Sequence, residues 1–400
     1  MLRTFFQFLV IFVLLAPASH SFSQSDSTSK KTAWYDRINV RGYVQVRYNR
    51  LLETNPNLGC DQCDKSWGDD GGLFLRRARI IFFGQINPRV YFYIQPDFAS
   101  SSGTGLHYGQ LRDAYFDLGL NANNSLRVRL GQSKVPFGFE NMQSSSNRLP
   151  LDRADGTNSA FPNERDLGAF FYWAPVKKRE LLARLTREGL KGSGDYGMFA
   201  FGVFNGQGAN KAEQNNTLHM VSRFSFPVEI GSQIIEPGVQ AYTGQYVLTS
   251  DQISSGTKIK EDRSFLDQRV GATFILYPKP IGFNVEYNIG KGPEFNTATD
   301  SVELKSLHGG YAMLSARVKI KNHLLYPFTR YQFYQGGKKF EKDARSYDVN
   351  DLEIGVEWQP SKAFELVAMY VISDRRYEDY GNQSNRQTGN LLRLQAQLNF

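Results

Sequence analysis

The C-terminal ten residues alternate strictly between apolar and polar side chains and close on an aromatic residue. The apolar positions are the even-numbered ones from Leu392 to Phe400, and the residues between them include Arg393 and Gln395. A repeat of two residues is the period of a β-strand, so one face of this strand is apolar and the other is polar. In a soluble sandwich the apolar face needs a partner sheet, whereas a transmembrane barrel turns it to lipid. This strand alone fits either architecture.

The same alternation recurs along the whole chain, with charged or amide residues on the polar side. Examples run over 90–98, 283–289 and 352–358. No stretch of the mature chain reaches the roughly 20 consecutive apolar residues that a membrane-spanning helix needs. A closed barrel is the remaining way for a chain to cross a bilayer. The mean hydropathy of −0.43 resembles that of a soluble protein, and a water-filled lumen with polar loops explains this value.

The connections between the alternating segments differ regularly in length. Short ones lie at 86–88, 121–124, 278–280, 321–323 and 360–362, and longer ones lie between them. Short periplasmic turns and long external loops produce this asymmetry, and sixteen strands enclose an aqueous channel. The sequence therefore predicts an all-β fold, a transmembrane antiparallel β-barrel of about sixteen strands near 39–48, 73–85, 89–98, 110–120, 125–135, 167–174, 196–205, 217–226, 236–248, 267–277, 281–290, 309–320, 323–335, 349–359, 363–373 and 390–400.

Two connections need separate interpretation. Residues 180–187 also fit a strand, but counting them would put the 206–216 loop on the periplasmic side. We therefore predict an extended turn or a short helix at 180–187. The longest connection, Pro136 to Asp166, is the third external loop, and loops of this length are usually functional or disordered. Two interpretations stay open for it, one in which it folds inward and narrows the lumen and one in which it is a solvated outer loop.

The N-terminus has the order of a secretory signal: Arg3, then an apolar stretch over 5–16, then small residues. Cleavage after Ala18 and cleavage after Ser23 both fit, and we favour Ser23. The following residues are polar and low in complexity, which is typical of disorder. The sequence thus predicts export to the outer membrane of a Gram-negative type of cell envelope, with a signal peptide over 1–23, a disordered periplasmic leader over 24–36 and a barrel domain over 37–400.

The first external loop contains both cysteines and a group of acidic residues. Cys60 and Cys63 are close enough in sequence for a local disulfide in an exported protein, and a metal site would need two more ligands. A disulfide or no role is therefore the favoured interpretation. Calcium binding by the acidic residues is less well supported than a solvated loop. These acidic residues are Asp61, Asp64, Asp69 and Asp70. We predict no cofactor and no metal.

The composition excludes several classes of function. The chain carries 47 Lys and Arg against 39 Asp and Glu, a net charge of +8. Because the cations are spread over the strands of an exported protein, nucleic acid is not expected as a partner. Small anionic solutes or lipopolysaccharide fit better. No Ser/His/Asp arrangement stands out among the five histidines, so we predict no enzyme. A non-selective porin and an adhesive surface barrel remain alternatives to an anion channel.

Strand phase places two arginines in the predicted lumen. Arg127 and Arg129 lie on the face opposite Val128. Lys134 has the other phase and reaches the lumen only if the strand bends between Lys134 and Pro136. Cations in a narrow passage with a low-dielectric wall favour anions. Alternatively, luminal acids pair with the arginines and brace the wall; the candidates are Asp97, Asp113, Asp117, Glu286, Glu353 and Glu357.

Five segments occur in an order that resembles the phosphate-selective porin family, porins O and P. They read LRRAR at 75–79, LRDAY at 111–115, LGQSKVPFG at 130–138, ERDLG at 164–168 and GVFNG at 202–206. The resemblance covers about 38–400. It implies a sixteen-stranded outer-membrane barrel, commonly trimeric, with an inward third loop and a basic passage for oxyanions such as phosphate or polyphosphate. Independently of this family, the terminal Phe400 on the apolar face of the last strand resembles the signal read by the barrel assembly machinery.

The resemblance also assigns residues to the passage. Arg76 and Arg77 match the paired arginines of the family's arginine ladder, and Arg79 follows them. Neighbours in a strand face opposite sides, so Arg76 and Arg77 can both face the lumen only if the alternation of the strand is interrupted between them. The third loop mixes basic and acidic residues, unlike a strongly cationic eyelet. The predicted pore-lining and anion-binding residues are Arg76, Arg77, Arg79, Arg127, Arg129, Lys134, Arg148, Arg153 and Arg165.

Overall fold

The structure is a computed structural model that describes residues 34–59, 72–102 and 105–400. The predicted signal peptide, nearly all of the predicted leader, both cysteines and the acidic residues of the first loop lie outside these residues, so their interpretation stays a prediction. The chain divides into two units, Met1–Asp36 and Arg37–Phe400. The first described element is a 3-10 helix, Trp34–Arg37.

Sixteen antiparallel strands form one closed barrel in the second unit. Each strand pairs with its sequence neighbours, and the first strand also pairs with the last, from Tyr43 opposite Asn399 to Leu51 opposite Leu392. The strands are β1 Asn39–Leu51, β2 Gly72–Asn87, β3 Val90–Ser102, β4 Gly105–Gly119, β5 Leu126–Lys134, β6 Arg165–Trp173, β7 Phe199–Phe204, β8 His219–Ser225 continued by Val228–Ile230, β9 Gln233–Val247, β10 Ser264–Leu276, β11 Ile281–Asn296, β12 Ser301–Ala316 continued by Val318–Ile320, β13 His323–Gly337, β14 Ser346–Ser361, β15 Phe364–Glu378 and β16 Arg386–Asn399.

The two faces of the wall invert the pattern of a soluble protein. On β10, Val270 is 60% exposed on the outer face, whereas the neighbouring Arg269 is 2% exposed and points inward. On β11, Ile289 is 51% exposed and Asn288 is 1% exposed. An apolar outer face and a polar interior are what a lipid-embedded barrel requires. The predicted barrel of about sixteen strands is therefore confirmed.

Several hairpins extend further toward the long-loop end than the alternation predicts. The strand predicted from 309 begins at Ser301, and the strand predicted to end at 290 continues to Asn296. Backbone pairing runs unbroken through this extension, for example between Pro293 and Leu304. Outside the lipid belt a hairpin is held by backbone hydrogen bonds and needs no continuous apolar face, so the sequence pattern fades before the strand ends.

Helices occur only in connections, within the described part of the chain. The third external loop contains α1 Phe139–Met142 and α2 Asp155–Asn158, and α3 Val176–Arg187 follows β6 at the short-turn end. Of the two alternatives predicted for 180–187, an extended turn and a short helix, the structure has the helix, and it begins earlier, at Val176. No described helix has the length and apolarity to cross a membrane. Three 3-10 helices complete the described elements, Pro162–Glu164, Ser250–Gln252 and Lys342–Ala344.

Two connections fold into the barrel and form the apolar core with its inner wall. The third external loop is buried almost throughout from Val135 to Phe161, so the inward path is the observed one. The segment 174–198, which contains α3, enters from the short-turn end. One cluster joins this segment and the loop to the wall through Leu181, Leu182, Leu185, Leu190, Phe139, Ile234, Ile275 and Tyr277.

Candidate pore lining

A β-bulge in β2 resets the alternation of the LRRAR segment between Leu75 and Arg77. Gln45 pairs with Arg77 but the next residue, Val46, pairs with Leu75, so Arg76 is the additional residue. A bulge of this kind resets the alternation of the strand. Arg77 and Arg79 are each 5% exposed and lie inside. The predicted phase break at Arg76 and Arg77 is therefore present.

Arg127 and Arg129 lie on the inner face of β5, and both are bound by carboxylates. Arg129 donates from Nε and Nη2 to the two oxygens of Asp117, at 2.7 and 2.9 Å. Arg127 donates to Asp195 at 2.6 Å. Their guanidinium groups are thus positioned by charge-assisted bonds. Whether they bind anions stays a prediction.

Asp195 ties the inserted segment 174–198 to the wall. Its carboxylate accepts from Arg127 and, at 2.9 Å, from Arg179 on α3. Burial opposes ionisation of Asp195, but the two guanidinium groups outweigh burial and lower its pKa to about 2. Helix α3 ends in a glycine turn, in which Gly189 has φ 70° and the N–H of Leu190 donates to the carbonyl of Leu185. This turn directs the chain into the lumen, toward the third loop.

Lys134 is buried despite its unfavourable strand phase. Gly131 adopts φ 123° within β5, which interrupts the extended strand, and the following residues Gln132, Ser133 and Lys134 are all buried. The Lys134 Nζ donates to the carbonyl of Gln143 at 2.6 Å, among other loop carbonyls, and lies 3.0 Å from a Glu164 oxygen. Lys134 therefore holds the start of the third loop rather than standing free in the passage.

Arg153 and Arg165 share the acid that pairs with Lys134. The Arg153 Nε lies 3.2 Å from Glu164, and Arg165 donates to Glu164 at 2.8 Å and to Asp113 at 2.9 Å. These bonds connect the end of the loop to β4 and β6. Three of the predicted site residues thus converge on one buried carboxylate, which neutralises part of their charge.

The third loop spans the lumen between opposite walls. On one side, the Ser145 hydroxyl lies 2.8 Å from the hydroxyl of Tyr43 on β1 and accepts from Arg79 on β2 at 3.1 Å. On the opposite wall, the carbonyl of Gly156 accepts from Arg269 on β10 at 2.9 Å. Between the two, Asp155 accepts from Arg375 on β15 at 2.8 Å and pairs with Lys338. Burial opposes ionisation of Asp155, but these cations lower its pKa to about 2. The loop is therefore anchored to the wall by hydrogen bonds at Ser145 and by buried ion pairs at Asp155.

Arg77 and Arg148 differ from the other predicted cations. Arg77 donates to the amide oxygen of Gln45 at 2.8 Å, and Arg148 donates to the carbonyls of Pro150 and Leu151 at 3.2 and 3.4 Å. Within the described part of the chain, neither has a carboxylate partner. Each also has a buried guanidinium nitrogen without a hydrogen bond, Nε in Arg77 and Nη1 in Arg148. These two side chains keep an uncompensated charge.

A cavity of about 720 Å³ lies at the short-turn end, which faces the periplasm in barrels of this type. Its lining has eight basic residues and three acidic ones. Five of the predicted site residues line it, Arg79, Arg127, Arg129, Lys134 and Arg165, and Arg76, Arg77, Arg148 and Arg153 do not. The remaining charged lining residues are Arg41, Arg89, Arg179, Asp113, Asp117 and Asp195.

Sequence reasoning did not select several lining residues. Arg41 alternates with Val40 and could have been found from strand phase. Arg89 lies in the turn before β3, where alternation carries no information. Arg179 and Tyr196 belong to the inserted segment, whose inward path has no periodic signal. No group of three His, Cys, Asp or Glu suited to a metal ion occurs in residues 34–59, 72–102 and 105–400.

Solved structures with the same architecture are outer-membrane proteins. The outer membrane channel DcaP of Acinetobacter baumannii superposes with a TM-score of 0.55 at 14% identity, over 91% of this chain and 97% of that one. The anion-selective porin from Comamonas acidovorans gives 0.51 at 11% identity, over 91% and 99%. The trimer form of OmpT from Vibrio cholerae gives 0.50 at 10% identity, over 91% and 99%. At these identities the likeness shows the fold.

No match was found among curated proteins. The family model described as phosphate-selective porin O and P matches residues 58–400, nearly the whole barrel. This match agrees with the closed sixteen-stranded wall and the inward third loop. The chain belongs to the family of phosphate-selective porins O and P, which are outer-membrane channel proteins.

Proposed function

We propose that this porin is a water-filled channel for passive diffusion of small solutes with a preference for anions such as phosphate or polyphosphate. The observation that carries the proposal is the excess of basic over acidic residues, eight against three, around the cavity at the short-turn end. A wall of low dielectric concentrates the field of these charges in the aqueous passage. The family match and the anion-selective porin among the similar structures support the same preference.

We expect Arg77 and Arg148, which are buried inside the barrel but do not line this cavity, to add to the anion preference through their uncompensated charge. Both have no carboxylate partner among the described residues, and both keep an unbonded guanidinium nitrogen. A guanidinium group offers several N–H donors in a fork that matches an oxyanion. A moderate number of such sites permits an anion to enter and to leave.

A non-selective porin is the second candidate, and one observation favours it. Arg79, Arg129 and Arg165 are each held by a buried carboxylate, at 2.7 to 2.9 Å. A paired arginine acts as a wall brace and contributes little net field. The two candidates differ in the number of uncompensated charges that face the passage.

The reversal potential of the purified channel in a salt gradient tests the proposal. A potassium chloride gradient across a planar bilayer should give a reversal potential of the sign set by chloride permeation, and potassium phosphate should conduct as well. A reversal potential near zero would favour the non-selective candidate, and one of the opposite sign would show a cation preference and contradict the proposal. The measurement should be made at low ionic strength, because a Debye length of about 3 Å at 1 M hides fixed charges.

We further propose the assembly that the sequence predicts. The chain is exported with a signal peptide ending at Ser23, contacts lipid and lipopolysaccharide through its apolar outer face, is assembled by the barrel assembly machinery through Phe400, and forms a homotrimer. The trimer form of the similar Vibrio cholerae OmpT supports the last point. Chemical crosslinking of outer membranes tests the trimer, and mass determination of the mature chain tests the cleavage site.

A further inference from the structure

Five tyrosines line the cavity at the short-turn end, and Tyr43 among them is buried. We call the other four, Tyr91, Tyr93, Tyr115 and Tyr196, the tyrosine wall. Tyr91 and Tyr93 lie on β3, Tyr115 lies on β4, and Tyr196 follows α3 in the inserted segment. The rings of Tyr93 and Tyr115 stack with centroids 5.2 Å apart and an interplanar angle of 12°. All four residues are half-buried, so each presents part of its surface to the cavity.

The tyrosine wall is distinct from the apolar core of the barrel. Tyr91, Tyr93 and Tyr115 belong to none of the buried clusters between the wall and the inserted segments, and Tyr196 only packs at the edge of one. The Tyr93 hydroxyl donates to Gln95 at 2.8 Å. The hydroxyls of the other three bond to no described residue. They are therefore available to a molecule in the cavity.

Positive charge lies behind and beside these rings. The guanidinium carbon of Arg129 is 3.8 Å from the ring centroid of Tyr115 and 5.6 Å from that of Tyr196. Arg129 is held in place by Asp117, so this arrangement is preorganised. Arg41 and Arg89 line the same cavity, are exposed, and form no ion pair with a described residue. An anionic group in the cavity can therefore reach a free guanidinium while its apolar part contacts rings.

This combination suits a different solute from inorganic phosphate. A small oxyanion is bound by cations and by N–H and O–H donors, so it can use the tyrosine hydroxyls but makes no use of the apolar ring faces. A planar organic anion uses both parts, since its ring packs against aromatic surface and its carboxylate meets a guanidinium. A cavity of about 720 Å³ is also within the roughly 300 to 1,000 Å³ of small-molecule sites.

We propose that the tyrosine wall is a transient binding site for organic anions that carry an aromatic ring, the class represented by benzoate. This inference rests on the proposed function as an anion-preferring channel and adds the solute class. Arg41 and Arg89 receive the carboxylate, and Tyr91 and Tyr196 contact the ring. Arg129 keeps the surface positive without itself being free to bind.

Block of chloride current by benzoate tests the site, with acetate as a matched anion that has the same charge and no ring. Each anion is added on the short-turn side of a single channel in a planar bilayer. Benzoate should half-block the current at a concentration about fivefold below that of acetate, the ratio that corresponds to about 1 kcal/mol of aromatic contact. Equal half-blocking concentrations would overturn the inference.

Variants assign the effect to the tyrosine wall. Tyr91→Leu and Tyr196→Leu should each raise the half-blocking concentration of benzoate about fivefold and leave that of acetate unchanged. Tyr196 lies outside the strands, so its variant remains informative if Tyr91→Leu does not assemble. The matched control is Tyr108→Leu, on β4 but 53% exposed and away from the cavity. Benzoate block that is unchanged in Tyr196→Leu would also overturn the inference.

The same recordings separate this inference from the proposed function. The reversal potential in potassium chloride is measured on each channel before benzoate is added. A channel with no anion preference would overturn the proposed function and, with it, the assignment of the solute class. If the channel prefers chloride but benzoate and acetate block it equally, only the proposal that the site prefers aromatic anions would be overturned.

Discussion

Phe400 closes the barrel against Gly42. The Gly42 N–H donates to the Phe400 carbonyl at 2.8 Å, and the Phe400 N–H donates to the Gly42 carbonyl at 3.0 Å. The Phe400 ring occupies the space that a side chain at Gly42 would need, because a Cβ there would lie 2.5 Å from the ring carbon Cζ. The seam between β1 and the last strand therefore depends on a glycine facing an aromatic residue.

Removing Phe400 should impair assembly in the outer membrane. The deletion removes both hydrogen bonds to Gly42 and the aromatic ring, which is 61% exposed and resembles the assembly signal. Surface levels in a Gram-negative host should fall, and folding in detergent should be affected less. Phe400→Tyr is the control, since it keeps the ring and the backbone. Normal surface levels of the truncated chain would contradict the prediction.

An arginine on the outer face of β16 should be far more destabilising than one on its inner face. Leu394 lies opposite Tyr48 and Ala368 on the lipid side, and Leu394→Arg should lower the free energy of unfolding by about 2 to 4 kcal/mol if the residue is near the bilayer midplane. The measurement is reversible unfolding in lipid vesicles.

The control for Leu394→Arg should be chosen from the structure. Gln395 is on the inner face, but its side-chain oxygen accepts from Arg47 at 2.7 Å, so an arginine there would face another arginine. Asn399 donates to Glu365 at 2.9 Å, and Asn399→Arg meets a carboxylate. Asn399→Arg should therefore be tolerated. Equal losses in Leu394→Arg and Asn399→Arg would mean that the facing assignment is wrong.

Asp195→Asn should loosen the segment 174–198 at neutral pH. The change removes the charge that binds Arg127 and Arg179, so amide hydrogen exchange in residues 188–196 should become faster. In the parent, the pKa of Asp195 is lowered to about 2 from an unfolded value of about 3.9. A lowered carboxyl pKa stabilises the folded state fully above the unfolded value, and this stabilisation is lost as the pH falls through about 2.

The pH dependence provides the check for Asp195. Exchange in the parent should be slow at pH 7 and should approach that of Asp195→Asn only in strong acid. Glu180→Gln, an exposed position on α3, is the control and should leave exchange unchanged. Equal exchange in the parent and Asp195→Asn at pH 7 would show that the ion pairs do not hold the segment.

The strands could be predicted from sequence because their signal is local. Alternation identified all sixteen strands, and the adjacent Arg76 and Arg77 required a break in phase that the bulge supplies. Strand ends at the long-loop end were placed too early, since the apolar face stops where lipid stops. The parity of the connections excluded a strand at 180–187, but it did not decide between an extended turn and the helix that forms there.

The ion pairs of the lumen could not be predicted, because they join residues far apart in sequence. Arg330 donates to Glu140, which is 190 residues away, and Arg393 donates to Asp152 across 241 residues. Such pairs depend on how the third loop crosses the barrel, and the loop has no periodicity. Strand phase therefore places arginines on the inner face, but only the folded loop determines which of them keep an uncompensated charge.

Arg127 and Arg129 are both paired with carboxylates, so replacing them should affect the stability of the protein as well as its selectivity. Replacing both by glutamine should lower the ratio of anion to cation permeability, but it also leaves Asp117 without its arginine and Asp195 with Arg179 alone. A buried carboxylate that loses its partner destabilises a protein by roughly 3 to 5 kcal/mol. We therefore expect a loss of stability in this double variant as well as a change in selectivity.

Arg77→Gln combined with Arg148→Gln should lower anion preference without that loss of stability. Neither arginine has a carboxylate partner among the described residues, so the change removes two charges and exposes no buried acid. The reversal potential in a potassium chloride gradient at low salt should shift toward the cation value. The shift should shrink at 1 M salt, where a Debye length of about 3 Å screens fixed charges from passing ions.

Arg184→Gln and Arg386→Gln provide the control for charge removal, since these side chains are 34% and 55% exposed, whereas Arg77 and Arg148 are buried inside the barrel. This control also removes two positive charges. It therefore shows whether a change in selectivity depends on where the charges lie or only on the net charge of the protein. Identical reversal potentials for the parent and the Arg77 and Arg148 double variant at low salt would contradict the prediction. Anion preference would then arise from the cavity at the short-turn end, where Arg41 and Arg89 carry the remaining free charge.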